Sequence, residues 1–143
     1  MNHIVLVGCC GPKLGRIAAA RDLYRSPLFR LSSTWAQAHG DAWMILSAKY
    51  GLIKPDDKLA PYDLALGDRS PQERGRWAVQ VQDQVDALEL AQGPSRFTLL
   101  AGEAYATWVR PVDSVVQPMA GMMIGRRLQW LNEQLALAEG IPA

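Results

Sequence analysis

Four short stretches hold most of the side chains able to do chemistry. "CCGPK" supplies Cys9, Cys10 and Lys13, and "SAKYGLIKPDDKLAPYD" supplies Ser47, Lys49, Tyr50, Asp56, Asp57, Tyr62 and Asp63. "AGEAY" adds Gly102, Glu103 and Tyr105, and "PMAGMMIGRR" adds Gly121, Gly125, Arg126 and Arg127. Carboxylates beside aromatic rings are equipment for holding a flat base while orienting water or steadying positive charge on a sugar. Asp56 or Glu103 would play that part, with Tyr50, Tyr62 or Tyr105 bordering the base. Asp56 and Asp57 also have the composition of a turn after Pro55, and which of Asp56, Asp57, Asp63 and Glu103 is the working carboxylate stays open.

Lys13 can bring an ammonium group into the same space. Backbone N–H groups between Gly121 and Gly125, with Arg126 or Arg127 adjacent, suit a phosphate or carboxylate. The glycines of "GCCGPKLG" match neither the dinucleotide fingerprint nor the P-loop, which leaves turn formation or backbone contact with an anion. Cys9 and Cys10 offer a thiolate if Lys13 or a helix start lowers the thiol pKa, and otherwise behave as small hydrophobes. No other cysteine exists, and His3 and His39 fall in a strand and at a helix end, so no metal and no cofactor is expected.

The elements that must position these groups are legible as alternating patterns. His3 to Val7, Trp43 to Leu46 and Phe97 to Ala101 are apolar runs of buried-strand character, and Asp113 to Gln117 is a weaker fourth. Each ends in one of the polar, glycine-bearing stretches. Ser26-Pro27 opens a helix with Leu28, Leu31, Trp35 and Ala38 on one face, stopped by Gly40. Ser70, Pro71 and Glu73 form a capping box ahead of an apolar stripe at Trp77, Val81, Val85 and Leu88, closed by Gly93-Pro94. Ile124, Leu128, Leu131 and Leu135 mark a last helix.

Strands alternating with helices imply an α/β fold: a three-layer, Rossmann-like arrangement with a mostly parallel sheet of about four strands and helices on both faces. All four polar stretches would then emerge at the carboxyl edge of the sheet, where open parallel sheets bind ligands. Residues 48–69 are too long and irregular for an ordinary connection and are expected to form an ordered functional loop or lid.

The whole chain bounds the function further. With 143 residues and 49% apolar residues it has the size of a single domain. Fifteen basic against fourteen acidic side chains give a formal charge of +1, which excludes a global field for long nucleic acid or anionic membrane. Adjacent cysteines do not readily pair, and no apolar stretch is long enough to span a bilayer, so a cytoplasmic, non-membrane protein is expected. Oligomeric state is not legible.

The motifs "CCGPK", "LYRSPLF", "WMILSAKYGLIKPDDKLAPYD" and "PMAGMMIGRRLQWL" together resemble a small bacterial family of uncharacterised proteins. That family is distantly similar to uracil-DNA-glycosylase-like domains, including that of archaeosine synthases, and to peroxide-stress proteins grouped near them. The resemblance implies a Rossmann-like fold and a pocket for a nucleobase or modified nucleotide. Cys9 and Lys13 echo the Cys-x3-Lys spacing of the archaeosine-synthase domains, implying Lys13 as a nucleophile or charge-stabilising group with Cys9 beside it. The water-activating and His-Pro-Ser motifs of the main uracil glycosylases are absent.

The functional expectation is an enzyme acting on a nucleoside, nucleotide or nucleic-acid base, by cleaving or exchanging an N-glycosidic bond or by modifying the base. Its expected catalytic groups are Lys13, Asp56, Glu103 and Cys9. Its expected binding groups are Ser47, Lys49, Tyr50, Tyr62, Asp63, Gly102, Tyr105, Gly121 and Arg126. A non-catalytic binder of a nucleotide or single strand, and redox or sulfur chemistry at the cysteines, are the competing readings.

Overall fold

The computed structural model describes residues 1–8, 11–102, 104–105 and 115–138. In chain order the first half comprises β1 (Asn2–Gly8), β2 (Ala18–Ala19), α1 (Ala20–Leu23), α2 (Pro27–His39), β3 (Ala42–Ser47), β4 (Gly51–Ile53) and β5 (Lys58–Leu59). After a 3₁₀ turn at Leu66–Asp68 come α3 (Pro71–Gln92), β6 (Ser95–Leu100), β7 (Val115–Val116) and α4 (Ile124–Ala138). The sheet order is β4-β3-β1-β6-β7, with β3, β1, β6 and β7 parallel and β4 antiparallel to β3.

The apolar run of β1 explains the layers. Successive strand residues face opposite sides, so Ile4 and Leu6 pack with Phe97 and Leu99 against Trp77, Val81 and Val85 of α3. Val5 and Val7 pack on the other face with Leu23, Phe29, Ala36 and Leu131 of α1, α2 and α4. All four β1 side chains are 0% exposed, as a central strand covered on both faces requires. The result is the expected three-layer α/β fold.

Helix starts follow the capping residues. Ser26 Oγ accepts from Phe29 N–H at 3.1 Å ahead of Pro27. At α3 both arms of the capping box form: Glu73 N–H donates to Ser70 Oγ at 3.1 Å and Ser70 N–H to Glu73 Oε1 at 3.2 Å. Each such cap contributes about 1 kcal/mol.

One sequence expectation is corrected. The buried side of α2 runs through Phe29, Ser32, Ser33, Trp35 and Ala36, whereas Leu28 and Leu31 are only half-buried and Ala38 is exposed. The helix is rotated so that two serines face inward, which an apolar-periodicity count scores as polar. Residues 48–69, expected as an ordered functional loop or lid, hold the short strands β4 and β5. Gly51, Leu52 and Ile53 of β4 are buried, and β5 pairs with β2 in a separate two-stranded ribbon.

The outer edge of β4 is closed by side chains instead of another strand. Leu52 N–H donates to Gln84 Oε1 at 2.9 Å, Gln84 Nε2 donates back to Leu52 O at 3.2 Å, and Gln80 Nε2 reaches Tyr50 O at 3.2 Å. Covering an edge in this way removes a template for unwanted pairing.

Candidate functional site

β1, β3, β6 and β7 point their carboxyl ends the same way, so the turns after them share one edge of the sheet. The chain goes from β1 to one neighbour, β3, and returns across it to the other, β6. The gap between β1 and β6 is therefore the topological switch point, where an open α/β sheet leaves a crevice. Gly8 ends β1 there. A Cβ on it would lie 2.5 Å from Ala101 Cβ, so glycine lets the two strand ends close up.

A chamber of about 380 Å³ lies in this crevice. Leu28, Leu100, Met119, Leu128 and Tyr105 form much of its described wall, with Gly102, Ser26, Ser32 and Arg127 contributing polar groups. Beside it run two open clefts of about 520 and 440 Å³. Gly11 borders all three spaces, and Tyr105 borders both the chamber and the larger cleft. Lys13 and Asp63 line both clefts, and Tyr62 lines the smaller.

The polar side is held by a chain of hydroxyls. Ser47 is fully buried at the end of β3, and its Oγ accepts from Lys49 N–H at 3.2 Å and Tyr50 N–H at 3.1 Å. With its acceptor sites so used, its O–H donates to Tyr62 Oη at 2.7 Å, and Tyr62 Oη meets Tyr24 Oη at 2.7 Å. Tyr50 stands edge-on to Tyr62 with centroids 5.5 Å apart. Lys13 Nζ lies 4.4 Å from the Tyr62 ring centroid and 5.7 Å from that of Tyr24. This cation–π contact aims the ammonium across the cleft. Neither Lys13 nor Asp63 has a hydrogen-bonded or ion-paired partner among the described residues.

The core reaches this network directly. Trp77 of α3 is 2% exposed, donates Nε1–H to Ser47 O at 2.8 Å and lies edge-on to Tyr105 at 5.6 Å. Arg69 Nη1 donates to Ala48 O at 2.9 Å. The end of β3 is thus pinned from beneath.

Other expected residues fall elsewhere. Asp56 is on the outer surface in the Lys54–Asp57 turn, its carboxylate 2.6 Å from Arg21 Nη1. That ion pair is exposed and contributes at most about 1 kcal/mol. Lys49 is exposed, with Nζ 5.3 Å from the Tyr50 ring. Gly121 (φ 77°) is exposed and outside the chamber wall. Arg126 turns outward to Glu133 at 3.7 Å, and the neighbouring Arg127 faces the chamber. Cys9, Cys10 and Glu103 lie outside the described residues.

Tyr24 and Ser32 have no assigned role in the sequence reading, and Ser26 enters it only as a helix cap. Tyr24 closes the four-residue helix α1 and Ser32 hides inside α2, and only the Ser26 cap carries a local signal. Among the described residues no group of three His, Cys, Asp or Glu side chains is arranged to hold a metal ion.

The sequence matches the family of unknown function DUF6884 over residues 4–133. The chain belongs to that family. It is also 39% identical over 79 residues to the uncharacterized protein YfjM of Bacillus subtilis (strain 168), a match covering 50% of this chain and 53% of that protein. Over 72 residues it is 36% identical to a UPF0246 protein of Shewanella pealeana, covering 47% of this chain and 28% of the relative. A UPF0246 protein of Acaryochloris marina is 35% identical over 77 residues, 50% of this chain and 29% of the relative. The matches span about half the length of the first relative and under a third of the other two. No solved structure matches the chain significantly. No helix among the described residues is long and apolar enough to cross a membrane.

Proposed function

We propose that the protein acts on the base of a nucleoside or nucleotide, cleaving or exchanging its N-glycosidic bond or modifying the base, at the cleft bordered by Lys13, Tyr62 and Asp63. The observation that carries this reading is that a cation and a carboxylate, neither hydrogen-bonded nor ion-paired to a described residue, line a tyrosine-bordered cleft next to an apolar chamber. The resemblance to uracil-DNA-glycosylase-like domains points the same way.

In hydrolysis the oxygen of water bonds to the anomeric carbon, the carbon–nitrogen bond breaks, and its electron pair leaves with the base. Asp63 takes the proton from water and steadies the cationic sugar, and Lys13 offsets the charge on the departing base. Asp63 replaces Asp56 in this role, since Asp56 is held on the outer face by Arg21. In the exchange reaction an incoming base takes the place of water. The Tyr24–Tyr62–Ser47 hydroxyl chain keeps the Tyr62 ring in place beneath Lys13.

The test is incubation of the purified protein with nucleosides, nucleotides and damaged or modified oligonucleotides, read by mass spectrometry. A new free base or altered base mass supports the proposal, and an unchanged mixture overturns it. A non-catalytic binder is favoured by the apolar lining of the chamber, and saturable binding without turnover would select it. Thiol chemistry would require loss of activity in Cys9→Ser or Cys10→Ser, and full activity in both variants would eliminate it.

A further inference from the structure

The chamber contains two polar groups that the reaction cleft leaves unused. Ser32 is 2% exposed, lines the chamber, and makes no side-chain hydrogen bond with any described residue. Its neighbours Ser33 and Thr34 both turn back to Arg30 O at 2.9 Å. The Ser32 hydroxyl therefore opens on the chamber and is available to whatever occupies it. Arg127 is the second group. It is half-buried, its Nε donates to Met122 O at 2.8 Å, and no described carboxylate pairs with it.

Anchoring through Nε fixes the guanidinium plane and leaves the terminal N–H groups as a fork. Nη1 lies 3.8 Å from where a Cβ on Gly102 would stand, which puts the fork beside the end of β6. A fork of this kind bonds best to two adjacent acceptors. Among the bases, guanine offers such a pair at O6 and N7, whereas adenine puts a donor beside its N7 and cytosine presents a donor. The flanking walls, Leu28, Leu100, Met119 and Leu128, suit ring faces better than a hydrated anion.

We infer that the chamber takes the ring of a 6-oxopurine, with Arg127 donating to the O6 and N7 edge and Ser32 bonding to another ring atom. The inference rests on the reading that the neighbouring cleft acts on a nucleobase, and it names which base.

Titration calorimetry with guanosine, inosine, adenosine, 2-aminopurine riboside, inorganic phosphate and benzoate tests it. Guanosine and inosine are expected to bind at least about tenfold more tightly than adenosine and 2-aminopurine riboside, the return on one bidentate contact. Arg127→Met and Arg127→Lys, checked for folding by thermal melting, are both expected to abolish that preference, since lysine keeps the charge but not the fork. Ser32→Ala is expected to weaken guanosine severalfold.

Equal binding of adenosine and guanosine by the native protein, survival of the preference in either Arg127 variant, or displacement of guanosine by phosphate or benzoate would overturn the inference. Guanosine binding without turnover of any substrate would leave it standing while the proposed reaction falls. Turnover of adenine substrates in preference to guanine ones would do the reverse.

Discussion

The apolar chamber and the Lys13 cleft adjoin each other yet are built from different parts of the chain. The chamber is walled largely by strand ends and by the N-terminal portions of α2 and α4, elements of regular structure packed on the sheet. The cleft is walled by the turn at 11–15 and by residues 61–67, segments outside the five-stranded sheet. Regular elements place side chains stiffly, while loops bring charged groups together and tolerate adjustment. The contrast assigns recognition to the chamber and chemistry to the cleft, with Gly11 and Tyr105 as the shared border.

The largest expected effect separates the two directly. Asp63→Asn should lower turnover about a hundredfold or more, the scale of a general base. Its melting temperature should stay near that of the native protein, because the carboxylate has no hydrogen-bonded or ion-paired partner among the described residues. Steady-state kinetics beside a melt checks both, and a large loss of stability with preserved turnover would erase the distinction.

Gly11→Ala attacks the border. Gly11 has φ 72°, and a Cβ there would stand 3.1 Å from Ser26 Cβ. Left-handed backbone at alanine costs about 1–2 kcal/mol, and the crowding adds to it. Denaturant unfolding should report that loss, and both base binding and turnover should fall. Impairment of only one would mean that the two spaces act independently.

The smallest effect lies away from both spaces and serves as their control. The Glu73 carboxyl is held below the usual glutamate range, first by the Ser70 backbone N–H and then by the Ser70 side chain, with desolvation opposing and the Arg69 charge assisting. A group depressed in the folded state contributes stability above its unfolded pKa of about 4.3 and loses it as pH falls through the folded value. The native protein should therefore melt higher than Glu73→Gln near neutral pH, and the two should converge on acidification. A gap that persists in acid would contradict that origin, and neither base binding nor turnover should change.

Much of the fold was legible because its signals are local. The β1 run, the Ser26 and Ser70 caps and the stripe along α3 each depend on residues a few positions apart, and each appears where expected. β4 was missed because three residues closed by glutamine side chains from α3 leave no periodic trace. The chemistry-bearing stretches were visible, but which member of each faces inward was not. Asp56 and Asp63 look alike in sequence, and the Arg21 ion pair and the β2–β5 ribbon send one outward. Arg126 and Arg127 differ by one helical step, about a quarter turn, which decides between Glu133 and the chamber. Tyr24 became visible only through long-range contacts with Tyr62 and Lys13.

The division of labour is tested most directly by measuring guanosine affinity and turnover together in Lys13→Met. Lys13 borders the clefts and not the chamber, and its described contacts are the cation–π pairs with Tyr62 and Tyr24. The expected result is native affinity for guanosine with turnover reduced about a hundredfold or more. Lost affinity, or undiminished turnover, would contradict a cleft that does chemistry on a base held next door.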